Sequence, residues 1–540
     1  MRHGAALVAA VLAGILGAGP SVGAQSASPA QTPQMPPPAI APRVGVAGPP
    51  LTLTLDEAIR RALEQNTDVE ISRVDTLISA ETIRVARGAY DPRVVPSLSF
   101  LHATNASASA LGGATRGSVE QRQLIGGVSF LGAVPAGGGR FSLDFESSRL
   151  TTSNQFSRLN PQFPSAFGLS YTQPLLRNRS YDANRRALEI AQRAFDLSEA
   201  ELRQTVMDQL MLVEQAYWEL VYAVRFLDVQ ISALAQAEGQ VASNERQAKG
   251  GTLAPIDVVE AQTQVSSFRQ GVASAQQALT EAENRLKRLM LTRRESPEWN
   301  QPISPADPAV DRAAPSYAVE AAVTVALAQR PELAALESVR LQNDADRRFF
   351  RDQTRPQVDV TGGVTFSGLA GGVLQNTDET IPEFLIGGYG TSLGNLFARR
   401  FPAALVQFQV ELPVRNTTAR ANLARAELSN TQLALRRQQL ELAIEADVRN
   451  ALQAERSARE RLAAAASASR NAQEQYESER RRFDSGLSTV FLVLERQNNL
   501  VAAQGRELRA RADLNQALAL LDRAVGGTLE RHGVKLGEKK

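Results

Sequence analysis

From Val414 to Ser485 the chain runs 72 residues without a glycine or a proline. Gly486 then interrupts, and an apolar, charge-studded pattern resumes to about Val525. Because glycine and proline are the residues that end or break helices, a run that long reads as one helix. About 70 residues at 1.5 Å each reach about 105 Å, far beyond a compact domain. The stretch FDSGLSTVFLVLERQ (483–497) then reads as a hairpin tip between two long helices. A second long helix is predicted upstream, because no proline lies between Pro174 and Pro255 and only Gly239 precedes Gly250. There Val206, Val213, Leu220, Leu227, Leu234 and Val241 recur every seven residues, with Leu210, Tyr217, Val224 and Ile231 four residues after each of the first four. That a/d pattern predicts coiled-coil packing. Leu188, Phe195 and Leu202 keep the step in a shifted phase, so the supercoil should change near residue 203.

The chain is also internally duplicated. LDEAIRRALEQNTDVE (55–70) resembles VEAAVTVALAQRPELA (319–334), and the same offset places Pro92 on Pro356. QPLLRN (173–178) resembles LPVRN (412–416), which puts Pro174 and Pro413 at equivalent strand-to-helix junctions. RQAKGGTLAPIDVVEAQTQV (246–265) aligns without gaps to RRFDSGLSTVFLVLERQNNL (481–500), Gly251 falling on Gly486. Each half therefore reads helix, strands, long helix, glycine turn, helix. The repeats span 51–292 and 316–526, joined by a linker at 293–315 and followed by a polar tail at 527–540. Ahead of them, Arg2 and His3 precede an apolar run from Ala5 to Leu16 and a small-residue site ending at Ala24. This is the pattern of a secretory signal peptide over residues 1–24. Residues 25–50 are Pro/Ala/Ser-rich and are expected to form a disordered leader.

The strand regions alternate. Val358, Val360, Val364 and Phe366 fall on one face of 357–367 and Asp359, Thr361, Thr365 and Ser367 on the other. Val406, Phe408, Val410 and Leu412, and likewise Phe167, Leu169 and Tyr171, repeat the pattern. Seventeen of the 29 aromatic residues lie within 90–171 and 349–408. Such strands suit a soluble sandwich or an outer-membrane barrel. The export signal, the aromatic enrichment and the lack of any later run of 18 apolar residues favour the barrel. Two core strands per half give four per chain, fewer than any single-chain membrane barrel. An open edge in lipid leaves backbone groups unpaired at several kcal/mol each, so chains must share a barrel. Two chains would give eight strands and a filled interior; three would give twelve and a lumen. An extra hairpin, about 127–149, is expected outside the membrane.

Little else points to chemistry. The net charge of +2 does not call for a polyanion such as nucleic acid. The absence of cysteine excludes disulfides, thiolate metal sites, cysteine nucleophiles and lipid attachment at an N-terminal cysteine. Beyond the signal peptide only His102 and His532 remain, neither with metal-ligand spacing, and the glycine clusters precede no phosphate-binding helix. Neither an enzyme nor a cofactor is expected.

The duplicated plan, the QPLLRN junction and the paired glycine-turn blocks resemble the TolC-type outer-membrane efflux proteins, over about 51–530. That resemblance implies an α+β membrane protein: a homotrimer whose long antiparallel coiled-coil α-helical barrel continues into a transmembrane β-barrel of four strands per chain, twelve in all. It implies an equatorial belt from 52–63, 293–320 and the C-terminal end. It further implies a passive exit duct in the outer membrane of a Gram-negative-type bacterium, reaching through the periplasm to a periplasmic adaptor and a proton- or ATP-driven inner-membrane pump. Type I protein secretion is the alternative service for such a duct, and a coiled-coil surface protein is the reading without transport.

On that architecture the tip turns at Gly251 and Gly486, with Leu253 and Leu487 beside them, are where an adaptor would dock. Asp257 matches an aspartate of the family's closed-state network, Phe483 falls where a tyrosine of it sits, and Glu495 falls at one of two acidic positions ringing the entrance. The other acidic position is Leu492 and an arginine partner is replaced by Ser488, so the polar latch departs from the family type. A plainer reading stays open beside this one. Asp257 and Glu495 are then carboxylates near helix N-termini, and the two glycines are left-handed helix caps.

Overall fold

The computed structural model describes residues 42–108, 112–114, 117–307, 318–374 and 381–534. The signal peptide, most of the leader, the C-terminal part of the linker and the end of the tail lie outside them. The first half comprises β1 (Leu51–Leu53), α1 (Leu55–Gln65), α2 (Thr67–Arg87), β2 (Arg93–Ala106), β3 (Ser118–Ala133), β4 (Arg140–Thr152), β5 (Leu159–Gln162), β6 (Ser165–Pro174), α3 (Ala183–Lys249) and α4 (Pro255–Met290). The second comprises β7 (Ile303–Pro305), α5 (Val319–Gln329), α6 (Pro331–Gln353), β8 (Gln357–Gly368), β9 (Gly371–Val373), α7 (Tyr389–Phe397), β10 (Phe401–Glu411), α8 (Thr417–Asp484), α9 (Val490–Val525) and α10 (Thr528–Arg531).

The halves match element by element. α3 and α8 have 67 and 68 residues, α4 and α9 have 36 each, and α1 and α5 have 11 each. At 1.5 Å per residue α3 is about 100 Å long. Its heptad residues Val206, Leu210, Val213, Tyr217, Leu220 and Leu234 are buried. The phase shift near residue 203 has a physical cause. Above it α3 lies between α2 and α6; below it α3 packs on α4 and α9, so the buried stripe must turn to face new partners. The four helices beside the sheet run α2–α3–α6–α8, leaving α2 and α8 as edges. Toward the tips the neighbours are α4–α3–α9–α8.

At mid-height a small belt grips the helices. β1 pairs in parallel with β7, and Leu53, Ile59, Tyr217, Leu286 and Ile303 share one core. The Tyr217 hydroxyl donates to the Leu53 carbonyl at 3.1 Å and to Asp307 at 2.7 Å. Lys287 and Glu283 are both buried; Lys287 bridges Glu283 at 3.0 Å and donates to the carbonyls of Trp299 and Gln301. On the other side Glu332 bridges Arg330 and Arg523, each at 2.8 Å, while Arg523 also reaches Asp208 and Arg330 reaches Asp447. His532, an isolated residue in the sequence, lies 2.6 Å from buried Glu214 on α3.

The sheet differs from expectation. Its path is β10–β8–β6–β4–β3–β2, with β5 and β9 off the path. Six long strands, not four, therefore form the main sheet, all antiparallel to their neighbours. The segment expected as a hairpin outside the membrane is β3 and β4, inserted between β2 and β6. Its alternation is hard to read because Gly126, Gly127 and Gly132 carry no side chain, while Ile125 and Leu131 place apolar groups on the otherwise polar face. α7 packs at the end of the sheet far from the helices, where Ser392 and Ser165 share a hydroxyl hydrogen bond of 2.8 Å. No helix among the described residues is long and apolar enough to cross a membrane.

Two expectations concern this framework. Leu220→Ala empties a fully buried heptad position and should cost about 2–5 kcal/mol, read as a lower unfolding midpoint in detergent. Arg456→Ala, in an exposed pair with Glu460, should change it by less than about 0.5 kcal/mol. Burial alone would raise the Glu332 carboxyl, but Arg330 and Arg523 hold it below its ordinary value of 4.5. A depressed carboxylate stabilises fully above its unfolded pKa, and that contribution is lost as pH falls through the folded one. Midpoints should therefore be insensitive to this group above pH 4.5 and fall below it, and Glu332→Gln should flatten that fall.

Candidate functional site

The two turns that join the long helices close in the same way. Gly251 and Gly486 have φ of +77° and +73°. The Gly251 N–H donates to Ala248 O at 3.1 Å and Thr252 N–H to Gln247 O at 3.0 Å. At the second turn Gly486 N–H donates to Phe483 O at 2.9 Å and Leu487 N–H to Arg482 O at 2.8 Å. Both are paired Schellman closures, which need a left-handed residue after the helix cap. No heavy atom lies within 4 Å of where a Cβ would stand at either glycine, so backbone conformation alone explains them. The returning helices then start differently: Pro255 occupies the first turn of α4, whereas the Thr489 hydroxyl caps α9 by accepting from Leu492 N–H.

The predicted residues separate into distinct settings. Leu487 is 72 % exposed and Leu253 half-buried. Asp257 is partly exposed in the first turn of α4, and buried Asn244 donates to its carbonyl at 3.4 Å. Phe483 is half-buried against Tyr476, Val493 and Leu500 within its own hairpin. Glu495 is exposed on α9. Among the described residues no side-chain hydrogen bond or ion pair joins Asp257, Phe483 and Glu495 within the chain. The turns lie side by side through α3 and α9, linked by Asn498 donating to Gln264 at 3.1 Å and by buried Gln497 donating to Ala233 O at 3.3 Å.

Sequence reasoning missed two features here. Ser488 donates to the buried carboxylate of Glu479, which also faces Arg482 at 3.4 Å, so a polar tie closes the second turn. Ile256 and Phe491, 62 % and 61 % exposed, add apolar surface just past each turn. They are equivalent in the aligned blocks, and that equivalence was the available signal.

At the other end, Pro174 closes β6 and Pro413 follows β10. Each junction uses a left-handed asparagine, Asn178 (φ 66°) and Asn416 (φ 48°). Both hang on the end of α6: Asn178 N–H donates to Asp352 Oδ2 at 2.6 Å, and Asn416 Nδ2 to Thr354 O at 3.0 Å. The shared Asn of QPLLRN and LPVRN is thus a chain reversal held by one helix end. Among the described residues no cluster of three or more His, Cys, Asp or Glu could hold a metal.

A protein-family model described as outer membrane efflux protein matches residues 140–290 and 322–527. The solved outer-membrane channel OprN aligns over 88 % of this chain and 90 % of its own, at 17 % identity and a TM-score of 0.62. The CmeC outer membrane channel of Campylobacter jejuni aligns over 88 % and 86 %, at 15 % identity and 0.63. The MtrE channel of Neisseria gonorrhoeae, in its open state, aligns over 88 % and 89 %, at 20 % identity and 0.58. No curated protein matches the sequence.

Gly486→Ala and Gly251→Ala should each cost about 1 kcal/mol through backbone strain alone. Hydrogen exchange across 481–492 or 246–257 should speed up several-fold, and Asn at either position should restore most of the protection.

Proposed function

The chain belongs to the outer membrane efflux protein family, and we propose that three copies of it form the exit duct of a tripartite export system. The observation that carries the reading is a set of unpartnered edges on matching sides. β2 and α2 expose Val94, Leu98 and Phe100, and Ile71, Val74, Ile78 and Val85, on one side. β10 and α8 expose Leu405, Val406 and Phe408, and Leu428, Leu435 and Leu442, on the other. β2 runs away from the helices and β10 toward them, so one chain's β10 can continue antiparallel onto the next chain's β2. A head-to-tail contact of this kind closes a ring, and in lipid it satisfies every edge hydrogen bond.

In that ring the tip turns face the cell interior. Leu253 and Leu487, joined by Ile256 and Phe491, form the surface for a periplasmic adaptor, through which an inner-membrane pump delivers cargo. Asp257, Phe483 and Glu495 line the entrance; three symmetry-related Glu495 carboxylates would attract cations, as charged rings do in pores. Such a duct moves cargo without catalysis of its own.

Purified full-length protein in planar bilayers should form cation-preferring pores, and Glu495→Ala should lower cation-over-anion permeability several-fold. No pores from either protein would overturn the proposal.

A further inference from the structure

We infer that the wall of this channel closes with six strands per chain, eighteen in the three-chain duct, so that its barrel is wider than the twelve-stranded one that two strand pairs per chain would build. The inference rests on the channel reading above and takes it further, to the calibre of the exit.

The first support is pairing. β2 pairs with β3 from Arg93↔Leu131 to Ala106↔Ser118, β3 with β4 from Gln121↔Thr152 to Ala133↔Arg140, and β4 with β6 from Arg140↔Thr172 to Ser147↔Ser165. The path runs from β2 to β6 only through β3 and β4. A hairpin standing off the barrel would leave β2 on β6.

The second is the faces. Directly opposed residues in a sheet share a face. Followed across the register, one face reads Val94, Leu98 and Phe100 on β2; Leu124, Val128 and Phe130 on β3; and Phe141, Leu143 and Phe145 on β4. It continues as Phe167, Leu169 and Tyr171 on β6, Val360, Val364 and Phe366 on β8, and Ala404, Val406 and Phe408 on β10. The inserted hairpin carries the apolar belt in phase with its neighbours, as a lipid-facing strand pair must. The charges of that face on the first three strands, His102, Glu120, Arg122 and Arg149, gather at the end far from the helices, beyond the belt. The opposite face carries Ser129, Ser142, Asp144, Glu146, Ser170, Thr172, Asp359 and Thr361, with hydroxyls linked across strands at 2.8 Å (Ser142–Ser170) and 2.9 Å (Thr172–Thr361).

The third is height. The β3–β4 turn returns where the other strands enter the helices and is built into that junction. Arg185 Nε donates to Pro135 O at 2.9 Å, and Gln173 Nε2 to Gly137 O at 2.7 Å. Gly138 has a φ of +70°, and a Cβ there would lie 2.3 Å from Asn178 O. The hairpin thus spans the same levels as β2 and β6.

Four helices per chain, α2, α3, α6 and α8, meet these six strands. With strands about 4.8 Å apart and tilted about 40°, eighteen strands enclose a backbone diameter of about 36 Å and twelve about 24 Å. Eighteen strands therefore make a barrel about 1.5-fold wider than the twelve that two strand pairs per chain would give.

Electron cryomicroscopy of the intact channel in lipid nanodiscs tests this without substitution. A section through the membrane should hold strands in the ratio six to four against the helices of the tunnel section. A ratio of one to one, with the hairpin outside the wall, would overturn the inference. The helix count separately reads the number of chains, so a failed trimer and a failed strand count are distinguishable. The cysteine-free sequence allows a second reading with spin labels at single introduced cysteines. Val128→Cys and Phe145→Cys should be relaxed by oxygen, and Ser129→Cys and Asp144→Cys by a water-soluble nickel chelate. Equal nickel access at all four positions would also overturn it.

Discussion

The constraint on which the rest of the structure depends is the unpaired backbone of β2 and β10. In water an open sheet edge can be solvated; in hydrocarbon each orphaned N–H or C=O costs several kcal/mol. The chain offers two such edges and no segment among the described residues to cover either. The helices repeat the condition, since α2 and α8 each present a row of apolar side chains outward. Strand edge and helix edge lie on the same side of the chain because α2 runs on into β2 and β10 on into α8. One contact with a neighbour can therefore satisfy both.

The duplicated plan governs how the ends are shaped. Near-identical helix lengths bring both glycine turns to one level, where the same Schellman closure forms twice. The turns are not chemically equal. The second is tied by Ser488 on Glu479 and buttressed by Phe483, whereas the first returns through Pro255. The pseudo-symmetric tip therefore presents two chemically dissimilar turns at one level.

Much of the fold was legible in the sequence, and the reason is periodicity. The heptads of α3 needed only a count of seven, and Leu210, Tyr217 and Leu220 are buried as that count requires. Gly486 stood out because it alone interrupts its surroundings, and Gly251 because the gap-free alignment sets it on Gly486. That the β3–β4 hairpin pairs into the main sheet was not legible, because three glycines erase side chains from the pattern and Ile125 and Leu131 invert it; pairing partners, which no local window contains, restore the register. The Glu332 cluster and the His532–Glu214 pair join residues far apart in the chain, which only the fold brings together. Of Asp257, Phe483 and Glu495 the residue types were legible, but not that Phe483 packs inside its own hairpin while Glu495 stands exposed on α9.

The unbroken length of α3 also limits how this chain can change over generations. Each residue of a helix turns the remainder by about 100°. One residue inserted above the belt would rotate everything below it, carrying Gln230 and Leu234 away from α4 and α9 and lifting one turn off the level of the other. A deletion does the reverse. Because α3 and α8 of 67 and 68 residues share a floor and a ceiling, length changes survive only when matched in both hairpins and made in whole turns.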